Sequence, residues 1–274
     1  MAAIALKEVQ ELTEAQAAQV PPIREECKIN TVEKLVATIN AIFAKGLPYE
    51  RIHDCLTHTL QRVDLTQNET NKYTFFDLEK PYTRNLVASD GKHYSLLILC
   101  WGPGKGSKIH NHPCDGCYIR SLSGCIKETR YDVIPGSDEI KQSAVKFYCE
   151  GQVSYMTDNL GLHKITNPNA NVGAVTLHLY TPPFQSCKVW SHEGQGELSK
   201  SEIGLVGFFS VCGLRTPNLE GKPGVYAKLM NDIQRRRPLT ESDLLLRTEE
   251  RARGISFETK GDEALICGKL HELK

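Results

Sequence analysis

The chain of 274 residues carries 33 Lys plus Arg against 33 Asp plus Glu, a formal net charge of zero with its 9 histidines neutral, which excludes the basic footprint of a nucleic-acid-binding protein. Hydrophobic residues make up 40% and charged residues 24%, ordinary usage for a globular protein with a sizeable core. The longest apolar run, Leu96 to Trp101, is too short to cross a bilayer, and the MAAIAL start runs into Lys7, Glu8 and Glu11, so a cytoplasmic protein without membrane partner or export signal is expected.

Residues 1–30, rich in Ala, Gln and Glu and broken by Pro21-Pro22, read as a loosely ordered lead. Behind Thr31, a helix-capping residue, Val32, Leu35, Val36, Ile39, Ile42 and Phe43 recur at helical spacing, and Gly46 and Pro48 close the segment. A second helix is predicted from about Tyr49 to Val63 on the spacing of Ile52, Leu56, Leu60 and Val63. From Tyr73 the text changes to short β-rich segments between Gly, Pro, Asn and Asp: 85–88, 94–101, 117–122, 125–133, 144–149, 153–156, 163–167 and 172–180. Regular spacing without helical patterns between them predicts a mainly β sandwich or barrel. After the Arg215-Thr216-Pro217 turn the chain becomes polar and helix-prone, so residues 218–274 read as a C-terminal extension whose basic run, 234–237, is taken as a solvated helix face.

Ten cysteines without framework spacing, several inside apolar runs such as Leu99-Cys100-Trp101, are expected to be reduced thiols. His110 and His112 alternate on an extended segment and point to the same side, as two metal ligands must, and they need a third. His163 opens a later strand. Thr176, His178 and Tyr180 share one strand face, which either solvates the surface or lines a barrel; strand pairing decides. Cys114 and Cys117 follow the histidine pair, but no second half of a zinc module accompanies them and no βαβ setting supports a redox motif.

Gly104, His110-x-His112, Cys117 and Gly124 resemble the first cupin motif, with Cys117 where that superfamily usually has Glu, and His163 with Asn167 is similar to the end of the second. Together with Tyr82-Thr-Arg84-Asn-Leu-Val, Leu99-Cys-Trp-Gly102, Gly161-Leu-His163 and Leu177-His-Leu-Tyr180-x-Pro-Pro-Phe184, the stretch from about Thr31 to Pro217 resembles the animal cysteine dioxygenases. The resemblance implies a jelly-roll-like cupin β-barrel over residues 31–217 with N-terminal helices packed on it. It implies Fe(2+) held by His110, His112 and His163, and L-cysteine and O2 as substrates of a reaction giving cysteine sulfinic acid, toward taurine or sulfate. Arg84 would take the substrate carboxylate, with Tyr82 and Thr176 nearby. Cys117 and Tyr180 match a pair joined as a thioether cofactor, and His178 supports Tyr180. Thr181-Pro182 matches a cis peptide. Cys114 lies outside the family pattern, and a disulfide from it to Cys117 would compete with the thioether. A monomer is expected. Cysteamine or 3-mercaptopropionate as substrate, and a catalytically silent metal-binding cupin, are the alternatives.

Overall fold

A computed structural model describes residues 28–137, 139–193, 197–204 and 207–215; the expectations for residues 1–27 and for the extension from 218 onward lie outside the described residues. Two amphipathic helices begin the fold. In α1 (Val32–Ala44) the Thr31 hydroxyl accepts from the Lys34 backbone N–H at 3.2 Å, and Leu35, Ile39 and Ile42 face inward. The segment turns at Gly46, whose φ of 58° suits a residue without Cβ. Helix α2 (Tyr49–Gln61) buries Leu56 and Leu60. Ile29, at the end of the segment read as a loose lead, is only 1% exposed and bridges Val63. A short helix, α3 (Gln67–Asn71), was not predicted; its Glu69 carboxylate accepts the otherwise unpaired Val32 N–H of α1 at 2.9 Å.

The remaining elements are strands: β1 (Tyr82–Ser89), β2 (Ser95–Trp101), β3 (Ile109–His110), β4 (Gly116–Ser123), β5 (Ile126–Val133), β6 (Ile140–Tyr148), β7 (Val153–Met156), β8 (Leu162–Thr166), β9 (Ala174–Thr181), β10 (Ser186–Glu193), β11 (Glu197–Gly204), β12 (Ser210–Val211) and β13 (Leu214–Arg215). They form a seven-stranded sheet, β13-β12-β1-β2-β9-β4-β7, and a six-stranded sheet, β11-β10-β3-β8-β5-β6. Pairing is antiparallel except between β1 and β12. A mainly β architecture of two sheets, preceded by N-terminal helices, is therefore what is observed. Eight predicted strands are present, 153–156 with the same ends and the others with shifted ones, whereas β3, the β10-β11 hairpin and the short β12 and β13 had not been anticipated.

Strands β2 and β9 are buried on both faces. Leu96, Ile98, Cys100, Val175, Leu177 and Leu179 pack with Leu35, Ile39, Leu56 and Leu60 of the helices in one apolar cluster. The alternate residues therefore point away from the helices, and Thr176, His178 and Tyr180 are buried polar side chains rather than a wet face. Leu35 is 0% exposed, so Leu35→Ala should destabilise the fold by roughly 2–5 kcal/mol, read as a lowered urea midpoint. A loss below about 1 kcal/mol would mean that α1 contributes little to the core.

One cysteine expectation is corrected. Cys125 and Cys149 form a disulfide with Cα atoms 4.1 Å apart. Ile126 pairs with Tyr148 at the open end of the β5-β6 hairpin, so the flanking cysteines are brought together by strand register although 24 residues separate them. Cys55, Cys100, Cys114, Cys117 and Cys187 are free; the Cys114 to Cys117 disulfide is not formed. The Thr181-Pro182 bond is cis.

Candidate active site

His110 ends β3 and pairs directly with His163 of β8, while Val189 of β10 flanks it on the other side. His112 lies two residues on. The three imidazole centroids are 4.9, 4.8 and 4.5 Å apart, and one ring nitrogen from each lies within 4.8 Å of the others. Gly161, at a φ of 90°, lets the chain enter β8 where any side chain would strike the Tyr131 carbonyl of β5. The His-x-His segment is clamped from outside the triad. Asp158 accepts the His112 N–H at 2.5 Å and the Asn111 amide at 2.9 Å, and Asn111 accepts the Lys188 N–H at 2.7 Å.

The triad is electrically neutral. Burial pushes His110 below the usual imidazole range, helped by the Arg84 charge and opposed by a hydrogen bond to the Lys108 carbonyl. Burial first, and then the neighbouring histidines, hold His112 and His163 well below that range. His110 Nδ1 meets the Lys108 carbonyl oxygen at 2.9 Å and His163 Nδ1 meets Glu128 Oε1 at 2.7 Å. A carboxylate or carbonyl only accepts, so each Nδ1 carries the proton and each Nε2 keeps a lone pair. His112 Nδ1 is buried without a hydrogen-bond partner among the described residues. Convergent, uncharged nitrogen donors fit a bound divalent transition metal. Carboxylates are absent from the converging set, unlike the two-His-one-carboxylate arrangement.

The triad opens on a cavity of about 240 Å³ that Tyr82, Arg84, Trp101, His178, Tyr180 and Cys187 also line. Arg84 and Tyr82 come from β1, one strand from β2 and two from β9. The Arg84 guanidinium lies 5.2 Å from the Phe208 ring centroid. The Tyr82 and Trp101 rings are 4.8 Å apart, and burial raises the Tyr82 phenol above its usual range.

Along β9 the polar groups form a directed chain. Trp101 Nε1 donates to Thr176 Oγ1 at 2.8 Å, Thr176 Oγ1 lies 2.9 Å from His178 Nε2, and His178 Nδ1 lies 3.2 Å from the Tyr180 hydroxyl. The indole can only donate, so Thr176 Oγ1 accepts from it; donating its own proton on to Nε2, the acceptor within reach, would put the His178 proton on Nδ1, facing the Tyr180 oxygen. Burial first, and then proximity to His110 and the Arg84 charge, lowers His178 to about 3. Cys117 sits directly opposite Tyr180 across β4 and β9. Its thiol is pushed up by burial, with a Tyr180 side-chain hydrogen bond opposing.

All nine singled-out residues therefore surround or adjoin one cavity: seven line it, and Thr176 and Cys117 touch its walls through His178 and Tyr180. Sequence reasoning missed Asp158 and Glu128. Glu128 and Arg130 sit two apart on one strand face, and an acid and a base sharing that face was the available signal.

The family model described as cysteine dioxygenase type I matches residues 23–193. The cysteine dioxygenase type 1 of Danio rerio is 35% identical over 200 residues, covering 70% of this chain and 93% of the relative. That of Homo sapiens is 33% identical over 196 residues, 71% of this chain and 94% of the relative, and that of Rattus norvegicus 34% over 191, 69% and 92%. With most of each relative's length matched and the histidine triad in the matched region, the chain belongs to the cysteine dioxygenase type I family.

Proposed function

We infer that this chain is an iron(II)-dependent dioxygenase converting L-cysteine and O2 to cysteine sulfinic acid, a step toward taurine or sulfate. The observation that carries the reading is the convergence of three uncharged imidazoles, two of them buried and one half-buried, on a cavity that also holds a guanidinium and a phenol. His110, His112 and His163 would hold ferrous iron through their unprotonated ring nitrogens. Iron bound there supplies the activation of dioxygen toward the substrate sulfur.

The chain's own groups do the rest. The triad brings no negative charge, so the site favours a substrate that arrives as a thiolate. Arg84 would take the substrate carboxylate through the two parallel N–H donors of its planar fork, strengthened by the apolar surroundings, and Tyr82 beside it narrows that end. His178 would hold the Tyr180 oxygen through its Nδ1 proton, which leaves the phenolic proton free to meet substrate or oxygen. Thr176 fixes the His178 tautomer. Such preorganised donors need no rearrangement as charge develops.

Joining Cys117 Sγ to a ring carbon of Tyr180 would remove the thiol hydrogen and one ring hydrogen, with dioxygen as the electron acceptor. Intact mass should then show a species lighter by those hydrogens, persistent under reductant and absent from Cys117→Ser. Such a variant should keep partial activity, because the phenol stays in place; a single, unshifted mass in protein that has turned over would remove the cross-link from the account. Burial holds the Cys114 thiol up at about 12, so it competes weakly for Cys117.

No helix among the described residues is long and apolar enough to cross a membrane. Among the described residues, reduced thiols outnumber the one disulfide, which goes with cytoplasmic residence, and the scattered large exposed apolar side chains, Leu78, Leu160 and Val172 among them, go with a monomer. We also propose that residues 31–217 form the functional domain, with 1–30 and 218–274 as appended segments.

Arg84 weighs against cysteamine, which has no carboxylate, and the polar chain along β9 weighs against a silent metal-binding cupin, which would not need it. The test is oxygen uptake by iron-loaded protein offered cysteine, cysteamine and 3-mercaptopropionate side by side. Cysteine should be strongly preferred; no uptake with any of them would favour the silent protein.

A further inference from the structure

We propose that Glu128 is a positioning residue that fixes His163 as a ligand and raises its donor strength through a fully buried, charge-matched hydrogen-bond network. This rests on the reading of His163 as an iron ligand.

Glu128 is 0% exposed on β5, and its carboxylate is occupied on both oxygens. Oε1 lies 2.7 Å from His163 Nδ1. Oε2 accepts from Arg130 Nε and an Arg130 terminal nitrogen, both at 3.1 Å, and from the Ser154 hydroxyl at 3.0 Å. Arg130 is itself anchored, donating to the Tyr155 carbonyl at 2.8 Å. The register is the cause: Arg130 of β5 lies opposite His163 of β8, which brings Glu128, two residues back on the same face, behind the imidazole.

Burying an unpaired carboxylate is expensive, and the network shows how this one is offset: Arg130 supplies the counter-charge and Ser154 a further donor. What remains for His163 is an acceptor rigid in both position and direction. It fixes the proton on Nδ1, sets the ring plane and draws electron density toward Nε2, the effect by which carboxylate partners strengthen imidazole ligands. The other two histidines have no such support. His110 faces a neutral carbonyl, and His112 Nδ1 is without a hydrogen-bond partner among the described residues. Glu128 therefore distinguishes His163 as the strongest donor of the three.

The test uses the full chain, with ferrous iron affinity measured by chelator competition and the ferric/ferrous midpoint potential measured on the loaded protein. Glu128→Gln keeps an acceptor for His163 Nδ1 but removes the charge. It should bind ferrous iron about ten- to a hundredfold more weakly. The loss should be larger for ferric iron, so the midpoint potential should rise. Because Glu128→Gln strands Arg130, the double variant Glu128→Gln with Arg130→Met is measured beside it and should show the same loss. Wild-type affinity and potential in either variant, recovery of both in the double variant, or a double variant that does not fold would overturn the proposal. His163→Ala separates the two levels: if it keeps full iron, the ligand assignment itself fails, whereas if it loses iron while Glu128→Gln does not, only the role of Glu128 fails.

Discussion

His163→Ala should lose its iron and fall to background oxygen uptake with cysteine while still unfolding cooperatively. The geometry separates these outcomes. His163 contributes a ring nitrogen to the triad, but the apolar cluster between the helices and strands β2 and β9 lies on the other side of the sheet and does not include it. Removing one of three neutral donors leaves two, too few to retain a divalent ion against water. His110→Ala and His112→Ala should behave alike, since each takes away one member of the same set. Metal analysis after desalting, paired with thermal unfolding, checks the result; stoichiometric iron in His163→Ala would take that residue out of the site.

Arg84→Ala should lose a charge-assisted bidentate contact worth roughly 1.5 to 3 kcal/mol, or about ten- to a hundredfold in apparent affinity for cysteine. Cysteamine has no carboxylate to lose, and the variant no longer confronts it with the cation, so the preference for cysteine should narrow. Arg84→Lys should fall between, because an ammonium keeps the charge without the fork. The ratio of kcat/KM for cysteine to that for cysteamine, measured at equal iron loading in the three proteins, reads the effect directly. An unchanged ratio in Arg84→Ala would place Arg84 outside substrate recognition.

Much of this was legible in the sequence because it is written locally. Thr31 and the spacing of Leu35, Ile39 and Ile42 specify α1, and the alternation of Thr176, His178 and Tyr180 marks β9. The alternation alone left two sides open for those polar groups; the pairing of β9 between β2 and β4 put them inside. Strand β3 has two residues and exists only through its neighbours β8 and β10, so no local pattern announces it. The β10-β11 hairpin, with Ser, Lys and Glu interleaved through both strands, lacks the clean alternation that marks a half-buried strand.

At the site, the His110-x-His112 spacing and the family motifs brought out the residues that face the cavity. Groups that act from behind were not legible. Glu128 reaches His163 across β5 and β8, Asp158 reaches the His112 backbone from a turn 46 residues away, and Cys125 meets Cys149 through the β5-β6 register. Each depends on which strands pair and in what register, which is settled by packing of the whole barrel rather than by neighbouring residues.

The most direct test of the central claim is turnover of L-cysteine by iron-loaded protein under oxygen-18 gas, with the product resolved by mass. The account predicts cysteine sulfinic acid carrying both labelled atoms, formed in proportion to the dioxygen consumed. Sulfinate with one label or none, or oxygen uptake that yields cystine and hydrogen peroxide without sulfinate, would contradict it.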